Sequence, residues 1–438
     1  MAERAPFVLG ADLGTGAARV VALTGAGAVL SDAEAPYPEM DGWPAGRADP
    51  AAWLAGLEAA LHDVVARLPA GASAAALAIG GQSPTTVPNG GGLAVTCRHP
   101  VGSNLPPDDQ HAAQWDLLRD EMGQHAPVVP RQIWDWVLER LGAGSGQGRW
   151  PGEPDLPGYG RRRDSATVIG HADGSHGVPA GTPLVAGAQD AYLSFWAGGI
   201  DEPGRGLDPG GRTGGLGVAV EAGHRPAGLY ALPSAAKGVD IVGGPTASHG
   251  SILEWWSRMT GRSVDELLAL AADVPPGAGG VLALPYLEGE RAPRWEPRLR
   301  AELVGLGAAT GPGEVTRALL EATAYGLAHI AHELAGHGVE LRRLVCGGTP
   351  ARSRLWCSIK AAVLEVPVEV PAYPSLTAYG AALAAGAALG WWPAPGAGRP
   401  GDWPRPTAEV IEPEADPVYC DGYARFVALG DRAQEAIH

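Results

Sequence analysis

Residues 7–23 read FVLGADLGTGAARVVAL, a glycine-rich loop between two apolar runs. The residues after the loop alternate and are rich in Val and Leu, and TGAG at 24–27 interrupts them, which predicts strand, turn and strand. A dinucleotide fingerprint needs its glycines between a strand and a helix, and a Walker loop needs Gly-Lys before Ser or Thr, so neither motif fits. Two interpretations remain open. The hairpin turn either points its amides at a phosphate, with Asp12 facing a metal ion, or it binds nothing.

A second candidate residue is Asp190, within TPLVAGAQDAYLSFWAGG at 182–199. The pattern predicts a short apolar strand, a turn, and then an amphipathic helix that begins near this aspartate. A carboxylate in that place could cap the helix by accepting backbone N–H groups. It could also act as a general base that projects from the carboxyl end of a strand.

Two more glycine-rich turns follow apolar strands in the second half of the chain. DPGGRTGGLGV occupies 208–218, and Gly347-Gly348 lies within LRRLVCGGTPARSRLWCSIKAAVLEVPVEV at 341–370, where a helix is predicted over 352–364. With the opening loop, these units suggest two α/β lobes that hold a nucleotide between them.

Composition narrows the function classes. The chain has 438 residues, 45% hydrophobic and 18% charged, which suits a globular protein with two sizeable cores. A net charge of −16 without a Lys/Arg block argues against nucleic acid, and no apolar run is long enough for a membrane span. The N-terminus lacks the apolar stretch of a signal peptide, so we expect a cytoplasmic protein. The scattered cysteines are expected to be reduced thiols: Cys97, Cys346, Cys357 and Cys420.

Ordered motifs along most of the chain resemble the FGGY carbohydrate kinases, in their xylulokinase-like branch, within the actin/Hsp70/hexokinase superfamily. The most specific is PYLEGERAPRWEPRLRAELVGL at 285–306. The other matching stretches are GADLGTGAAR (10–19), YPEMDGWPAGRADPAAWL (37–54), AIGGQSPT (78–85), VAGAQDA (185–191), GGRTGG (210–215), EVTRALLEATAYGLAHI (314–330) and CGGTPARSRLW (346–356).

The resemblance implies an α/β fold of two actin-like (ribonuclease H-like) lobes, each a mixed β-sheet flanked by helices, with the active site in the cleft between them. The N-terminal lobe would span 1–202 and carry the first phosphate loop, the acceptor site and the catalytic aspartate. The C-terminal lobe would span 203–438 and carry the second phosphate loop and the adenosine segment.

The resemblance also assigns roles, with ATP and Mg²⁺ as cofactors. Asp190 would be the catalytic base and Asp12 the metal ligand. The nucleotide would lie against Gly14, Thr15, Gly16, Arg19, Gly211, Arg212, Thr213, Gly214, Gly347, Gly348 and Arg352. The sugar would contact Gln82, Ser83, Arg98 and His99. Glu290 and Arg291 are expected to form an ion pair that supports the signature loop, with direct ligand contact as the alternative.

This chain departs from the family pattern at three places. Arg212 and Thr213 occupy slots where the family has Thr-Ser, Ser358 and Ala362 replace the usual Gln and Asp of the adenosine helix, and AVTCRHPVGS at 94–103 replaces a Trp-x-Asp-x-Arg acceptor motif. The chain is also shorter than its relatives between about residues 142 and 168.

Two functions are therefore expected. The first is ATP-dependent phosphorylation of a hydroxyl of a sugar, polyol or sugar-like metabolite. The alternative is a weak or inactive homologue that acts as a nucleotide- or sugar-binding sensor or partner protein. The expected partner is a small-molecule sugar or polyol, with no nucleic acid and no membrane, and a homodimer is left open.

Overall fold

The computed structural model describes residues 6–37, 46–69, 73–88, 91–101, 107–123, 129–144, 147–153, 159 and 162–437. The matching stretch 37–54 therefore lies partly outside the described residues, at 38–45. No helix in these ranges is long and apolar enough to cross a membrane. The four cysteines are free thiols, as the sequence predicts.

The strands of the first half are β1 (Phe7–Leu13), β2 (Ala17–Thr24), β3 (Val29–Pro36), β4 (Arg47–Ala48), β5 (Ala74–Gly81), β6 (Thr86–Val87), β7 (Ala94–Val95), β8 (Arg131–Gln132), β9 (Gln147–Arg149), β10 (Arg162–Asp164), β11 (Val168–His171) and β12 (Pro183–Gln189). Those of the second half are β13 (Arg205–Asp208), β14 (Gly215–Glu221), β15 (Tyr230–Pro233), β16 (Val239–Pro245), β17 (Leu282–Leu284), β18 (Glu302–Val304), β19 (Arg343–Cys346), β20 (Val368–Pro371) and β21 (Ala408–Ile411).

The helices are α1 (Pro50–Arg67), α2 (Pro107–Met122), α3 (Ile133–Arg140), α4 (Asp190–Ala197), α5 (Gly250–Thr260), α6 (Val264–Ala272), α7 (Pro312–Gly336), α8 (Arg354–Leu364), α9 (Leu376–Ala388) and α10 (Pro417–Glu435). A short 3₁₀ turn, Thr349–Arg352, precedes α8.

The first compact unit comprises Met1–Asp201, Leu232–Gly238 and Ser375–Pro406. Its main sheet has the order β11-β12-β5-β1-β2-β3, in which β12, β5 and β1 are parallel. The predicted strand, turn and strand after the first loop are confirmed as β2 and β3. α9 packs so closely on β1 that a Cβ at Gly10 would lie 2.1 Å from the Ala378 carbonyl oxygen. Every residue of β1 is buried, on both faces of the sheet, which explains the continuous apolar run of this strand.

The second compact unit comprises Glu202–Ala231, Val239–Pro374 and Thr407–His438. Its main sheet has the order β15-β16-β14-β13-β19-β20-β21, with β13, β19 and β20 parallel. The long helix α7 begins at Pro312, where Glu314 accepts the Gly311 amide proton at 2.9 Å and closes the first turn. The sequence-based division into an N-terminal lobe (1–202) and a C-terminal lobe (203–438) describes functional lobes, and it stays a prediction.

Two local predictions are corrected by packing. The helix after Asp190 is not amphipathic, because every residue from Tyr192 to Ala197 is buried. α9 covers its second side so tightly that a Cβ at Gly380 would lie 2.1 Å from the Leu193 carbonyl oxygen. The helix expected over 352–364 begins at Arg354, because the preceding residues form the 3₁₀ turn and Ser353 accepts the Trp356 amide as its N-cap.

Candidate active site

Three candidate residues lie at the carboxyl ends of neighbouring parallel strands in the first unit. Asp12 stands near the end of β1, Gln82 directly follows β5, and Asp190 directly follows β12. Gly80 of β5 is paired with Asp12 on one side and with Ala188 on the other. Neighbouring strands are about 4.8 Å apart. The two aspartates, far apart in sequence, therefore lie at the same sheet edge with one strand between them.

The electrostatics of this edge favour a cation or a proton. Burial raises the pKa of Asp12 to about 6, although Arg19 opposes the increase. Burial also raises the pKa of Asp190 to about 7, and the negative charge of Asp12 contributes to that increase. Carboxylates with raised pKa values at one site are candidates for acid–base chemistry or for binding a cation.

Arg19 lies directly opposite Asp12 in the β1–β2 pairing. Its guanidinium is 3.7 Å from the Asp12 carboxylate and makes two hydrogen bonds of 3.1 Å to Glu34. Glu34 therefore orients the arginine beside the first loop, and Asp12 is only partly neutralised. A loop phosphate could still approach the same guanidinium.

The first glycine-rich loop is an open hairpin turn. The amide of Gly14 donates to the Ala17 carbonyl at 3.2 Å, and the Gly16 carbonyl accepts the Tyr37 amide at 3.1 Å. A Cβ at Gly14 would make contacts of 3.4 Å or more, and one at Gly16 would have nothing within 4 Å. The protein itself therefore does not require glycine at position 16, and the space beside it is open to a bound group.

In the second unit, the other two glycine-rich turns pack backbone against backbone. The amide of Gly347 donates to the Asp208 carbonyl at 2.8 Å. A Cβ at Gly210 would lie 2.2 Å from the Gly347 carbonyl oxygen, and one at Gly348 would lie 2.8 Å from that of Pro209. Gly211 and Gly348 both have positive φ. The loop 209–214 and the turn 347–352 thus form one compact glycine surface, which ends at Arg352.

Loop 209–214 is fastened to the start of α5. The Arg212 carbonyl accepts the amides of His249 and Ser251, and the Arg212 side chain lies 2.8 Å from Glu254. Thr213 is exposed, whereas Gly214 is buried. The Arg212 side chain thus forms a partly exposed ion pair with α5.

The expected acceptor residues fall in two places. Gln82 is buried at the end of β5, where the Cys97 thiol reaches its carbonyl oxygen at 3.7 Å, and Ser83 follows it. His99 instead lines a cavity of about 470 Å³ that also contains Arg47 and Glu121. Arg98 is exposed. The sequence replacing the family's acceptor motif thus contacts Gln82 through Cys97, one residue before the predicted pair.

Sequence reasoning missed a buried polar network behind Ser83. His111 lies on α2, and its Nε2 atom is 3.2 Å from Ser83 Oγ and 3.1 Å from the Gln132 side-chain nitrogen. Its Nδ1 atom lies 3.3 Å from Tyr159 Oη. Burial lowers the pKa of His111 to about 3, with Arg162 adding to the decrease, so the ring is neutral. Because the Gln132 side-chain nitrogen can only donate, Nε2 accepts in that contact and the ring proton lies on Nδ1, beside Tyr159. The available signal was polar Gln110, His111 and Gln114 on one helix face.

The signature loop is held by backbone amides. Glu290 is buried and accepts the amides of Ala247 at 2.8 Å and Arg291 at 2.7 Å. Burial raises the pKa of Glu290 to about 7. The expected support of the loop by Glu290 is present, but it comes through these amides, because the carboxylate faces the backbone and not the Arg291 guanidinium.

Comparisons with known proteins agree with this architecture. Residues 226–389 match the C-terminal domain of the FGGY family of carbohydrate kinases. A glycerol kinase from Gloeobacter violaceus is 40% identical over 152 residues, and a xylulose kinase from Staphylococcus epidermidis is 30% identical over 151 residues. Each alignment covers 34% of this chain and 30% of the relative.

Solved structures match over nearly the whole chain. A xylulose kinase from Rhodospirillum rubrum has a TM-score of 0.74 at 25% identity, and the match covers 99% of this chain and 100% of that one. A ligand-bound xylulose kinase from Lactobacillus acidophilus has a TM-score of 0.77 at 18% identity, covering 99% and 98%. The expected α/β fold of helix-flanked mixed sheets is thereby confirmed. Residues 226–389 match the C-terminal domain of the FGGY carbohydrate kinases, in a chain that has the fold of solved xylulose kinases along 99% of its length.

Proposed function

We propose that this protein is an ATP-dependent kinase that phosphorylates a hydroxyl group of a sugar, a polyol or a sugar-like metabolite. The observation that carries the proposal is the pair of carboxylates at one sheet edge, Asp12 and Asp190, both with raised pKa values. Phosphoryl transfer needs a base that orients the nucleophile and a cation that neutralises developing charge, and this pair can supply both sites. The names of the similar proteins, glycerol kinase and xylulose kinase, support a polyol or ketose acceptor.

Asp190 is the proposed base. Its Oδ1 already accepts the Ala191 amide at 2.8 Å, which fixes the carboxylate at the start of α4 and leaves Oδ2 for the substrate. As the acceptor hydroxyl oxygen attacks the γ-phosphorus, its proton passes to Asp190, the bond from phosphorus to the β–γ bridging oxygen breaks, and ADP leaves. A pKa of about 7 suits a group that must take a proton near neutral pH.

Asp12 is the proposed metal ligand. Its buried, only partly neutralised carboxylate fits Mg²⁺, which keeps several waters and needs only one or two protein carboxylates. Over the part of the chain that the structure describes, no group of three or more metal-ligating side chains is present, which is consistent with such a water-rich site. Mg²⁺ would supply charge neutralisation at the phosphate oxygens.

The glycine turns would contact the phosphates and the adenosine. Because the Gly14 amide closes its own turn, we assign the phosphate contact of the first loop to Thr15 and Gly16, with Arg19 beside them. Gly211, Arg212, Thr213 and Gly214 would face the phosphates from the second loop. Gly347, Gly348 and Arg352 would lie along the adenosine and α-phosphate. Glycine suits these places because a side chain would hold the amides away from the ligand.

The acceptor would lie against Gln82 and Ser83, next to the base. His111 Nε2, 3.2 Å from Ser83 Oγ, holds this hydroxyl beside Gln82. Arg98 and His99 remain proposed contacts for an acceptor that extends toward the cavity of about 470 Å³.

The test is ADP release measured with purified protein, ATP·Mg and a panel of ketoses, polyols and cyclitols. We expect turnover with at least one acceptor, and Asp190→Asn should abolish it while ADP·Mg still binds in calorimetric titration. ADP binding without turnover on any acceptor would instead support the inactive homologue. Turnover retained in Asp190→Asn would show that another group is the base.

The remaining proposals concern the cellular location, the lobe boundaries and the oligomeric state. We propose a cytoplasmic protein with functional lobes at 1–202 and 203–438. A homodimer is the assembly to test, by light scattering coupled to size-exclusion chromatography.

A further inference from the structure

A buried ionic cluster lies directly beneath the second glycine loop. Lys360 Nζ on α8 is 2.5 Å from Asp208 Oδ2, and His249 Nε2 is 3.2 Å from the same oxygen. The side chains of all three have no exposed surface. Lys360 also donates to Cys346 Sγ at 3.3 Å, and the His249 ring stacks on Trp356 with centroids 5.1 Å apart.

The charges of this cluster are those of one ion pair. Burial alone would raise the pKa of Asp208, but the Lys360 ammonium beside it outweighs burial and holds that pKa below the usual range. Burial alone would lower the pKa of Lys360, yet Asp208 keeps it raised. Burial lowers the pKa of His249. The cluster therefore contains an aspartate anion, a lysine cation and a neutral histidine near neutral pH.

Asp208 and His249 connect the cluster to the glycine surface. Asp208 Oδ1 accepts the Gly210 amide at 3.0 Å, and the Asp208 carbonyl accepts the Gly347 amide at 2.8 Å. The His249 amide donates to the Arg212 carbonyl at 2.9 Å, and a Cβ at Gly214 would lie 2.6 Å from the His249 ring. One ion pair is thus connected to both ends of loop 209–214.

Stability is a weak reason for such an arrangement. Buried ion pairs give little net stability, because removing both charges from water costs about as much as their attraction returns, and an apolar pair of similar volume is often as stable. What an apolar pair cannot do is accept the Gly210 amide or hold its partner in one geometry.

We propose that Asp208 is a positioning residue for the second phosphate loop, held by Lys360 and His249 so that the Gly210 bond fixes the loop before nucleotide arrives. The inference rests on the proposed function for its nucleotide, but the fixed loop is a property of the free protein. Preorganised amides bind phosphate better because less ordering remains to be done on binding.

The test compares two uncharged double variants. D208L/K360M removes the ion pair and the Gly210 acceptor, whereas D208N/K360M removes the ion pair and keeps a carbonyl oxygen for Gly210. Neither leaves a lone buried charge. We expect D208L/K360M to remain folded by circular dichroism, to exchange amide hydrogens in peptides covering 209–214 at least tenfold faster, and to bind ADP·Mg at least tenfold more weakly. If turnover is present, KM for ATP should rise more than kcat falls. D208N/K360M should recover most of each change.

Other outcomes overturn the inference. If D208L/K360M is folded and has the wild-type amide exchange rates and ADP affinity, the inference is wrong. It is also wrong if D208N/K360M is impaired as much as D208L/K360M, because the hydrogen bond to Gly210 would then make no difference. The wild-type protein gives a check that requires no variant to fold. The Gly210 amide must exchange more slowly than the Thr15 and Gly16 amides of the open turn, and equal rates would contradict a fixed loop. If the wild-type protein binds ADP·Mg but turns over no acceptor, the proposed kinase function is wrong. Amide exchange rates and ADP affinity in the variants still test the positioning role of Asp208.

Discussion

At the scale of single residues, Asp12 and Asp190 place two carboxylates at one edge with too little positive charge to neutralise both. A carboxyl group whose pKa is higher in the folded than in the unfolded protein binds its proton more tightly when folded. Its contribution to stability is therefore lost as pH rises from the unfolded pKa, near 4, through the folded pKa, near 7 for Asp190.

This sign gives a prediction for metal-free protein. Relative to wild type, Asp190→Asn should gain about 1 kcal/mol or more in free energy of unfolding between pH 5 and pH 8, since each pKa unit corresponds to about 1.4 kcal/mol. The measurement is urea unfolding at both pH values. Glu290, with a pKa also near 7, is present in both proteins, so its effect cancels in the difference. A pH-independent difference would contradict the raised pKa.

The sequence predicts the two aspartates because each follows an apolar strand next to small residues, a local pattern. It does not predict the histidine behind Ser83. His111 lies 28 positions further along, on a different element, and its hydrogen bonds to Ser83, Gln132 and Tyr159 depend on how α2 packs. A neutral buried histidine has no distinctive sequence spacing, so only the packing reveals it.

At the scale of elements, the first glycine loop differs from loop 209–214 and turn 347–352 in what surrounds its glycines. Gly348 and Gly214 are surrounded by protein atoms, whereas Gly16 has nothing within 4 Å of a Cβ and no positive φ. Gly16→Ala should therefore leave the melting temperature unchanged. A methyl group would still stand where a phosphate must approach, so ADP·Mg affinity should fall at least tenfold.

Gly307→Ala is the matched control, because Gly307 is also exposed with nothing within 4 Å of a Cβ. This variant should change neither melting temperature nor calorimetric ADP affinity. Normal affinity in Gly16→Ala would exclude the phosphate contact proposed for that turn.

The strand–loop–helix units were predictable because each element follows from local periodicity and from turn glycines. The character of α4 was not. Its own sequence favours one exposed side, but α9, which follows some 180 positions later, covers that side across Leu193 and Gly380. Long-range packing overrides the local pattern here, as it often does for short helices.

At the scale of the whole molecule, the chain contributes to each compact unit in three separate segments. α9 is the consequential case. Ten of its 13 residues are buried, and it lies against β1, β5 and α4 in the first unit although it follows most of the second unit in sequence. The amino-acid composition of α9 does not indicate which unit it packs in, because an apolar, Ala-rich helix could fit either core.

Because α9 belongs to the first unit, two C-terminal truncations should affect the two units differently. A chain ending at Pro406 keeps α9 and loses α10, whose Tyr419 and Phe426 belong to the core of the second unit. A chain ending at Pro374 loses α9 as well, which uncovers one face of β1 and β5. We expect slow amide exchange in peptides from β1 and β5 to persist in the first truncation and to disappear in the second, while peptides from α7 lose protection in both. If β1 and β5 stay protected in the chain ending at Pro374, the first unit does not need α9 for its stability. The three segments assigned to that unit would then not form one cooperative unit of folding.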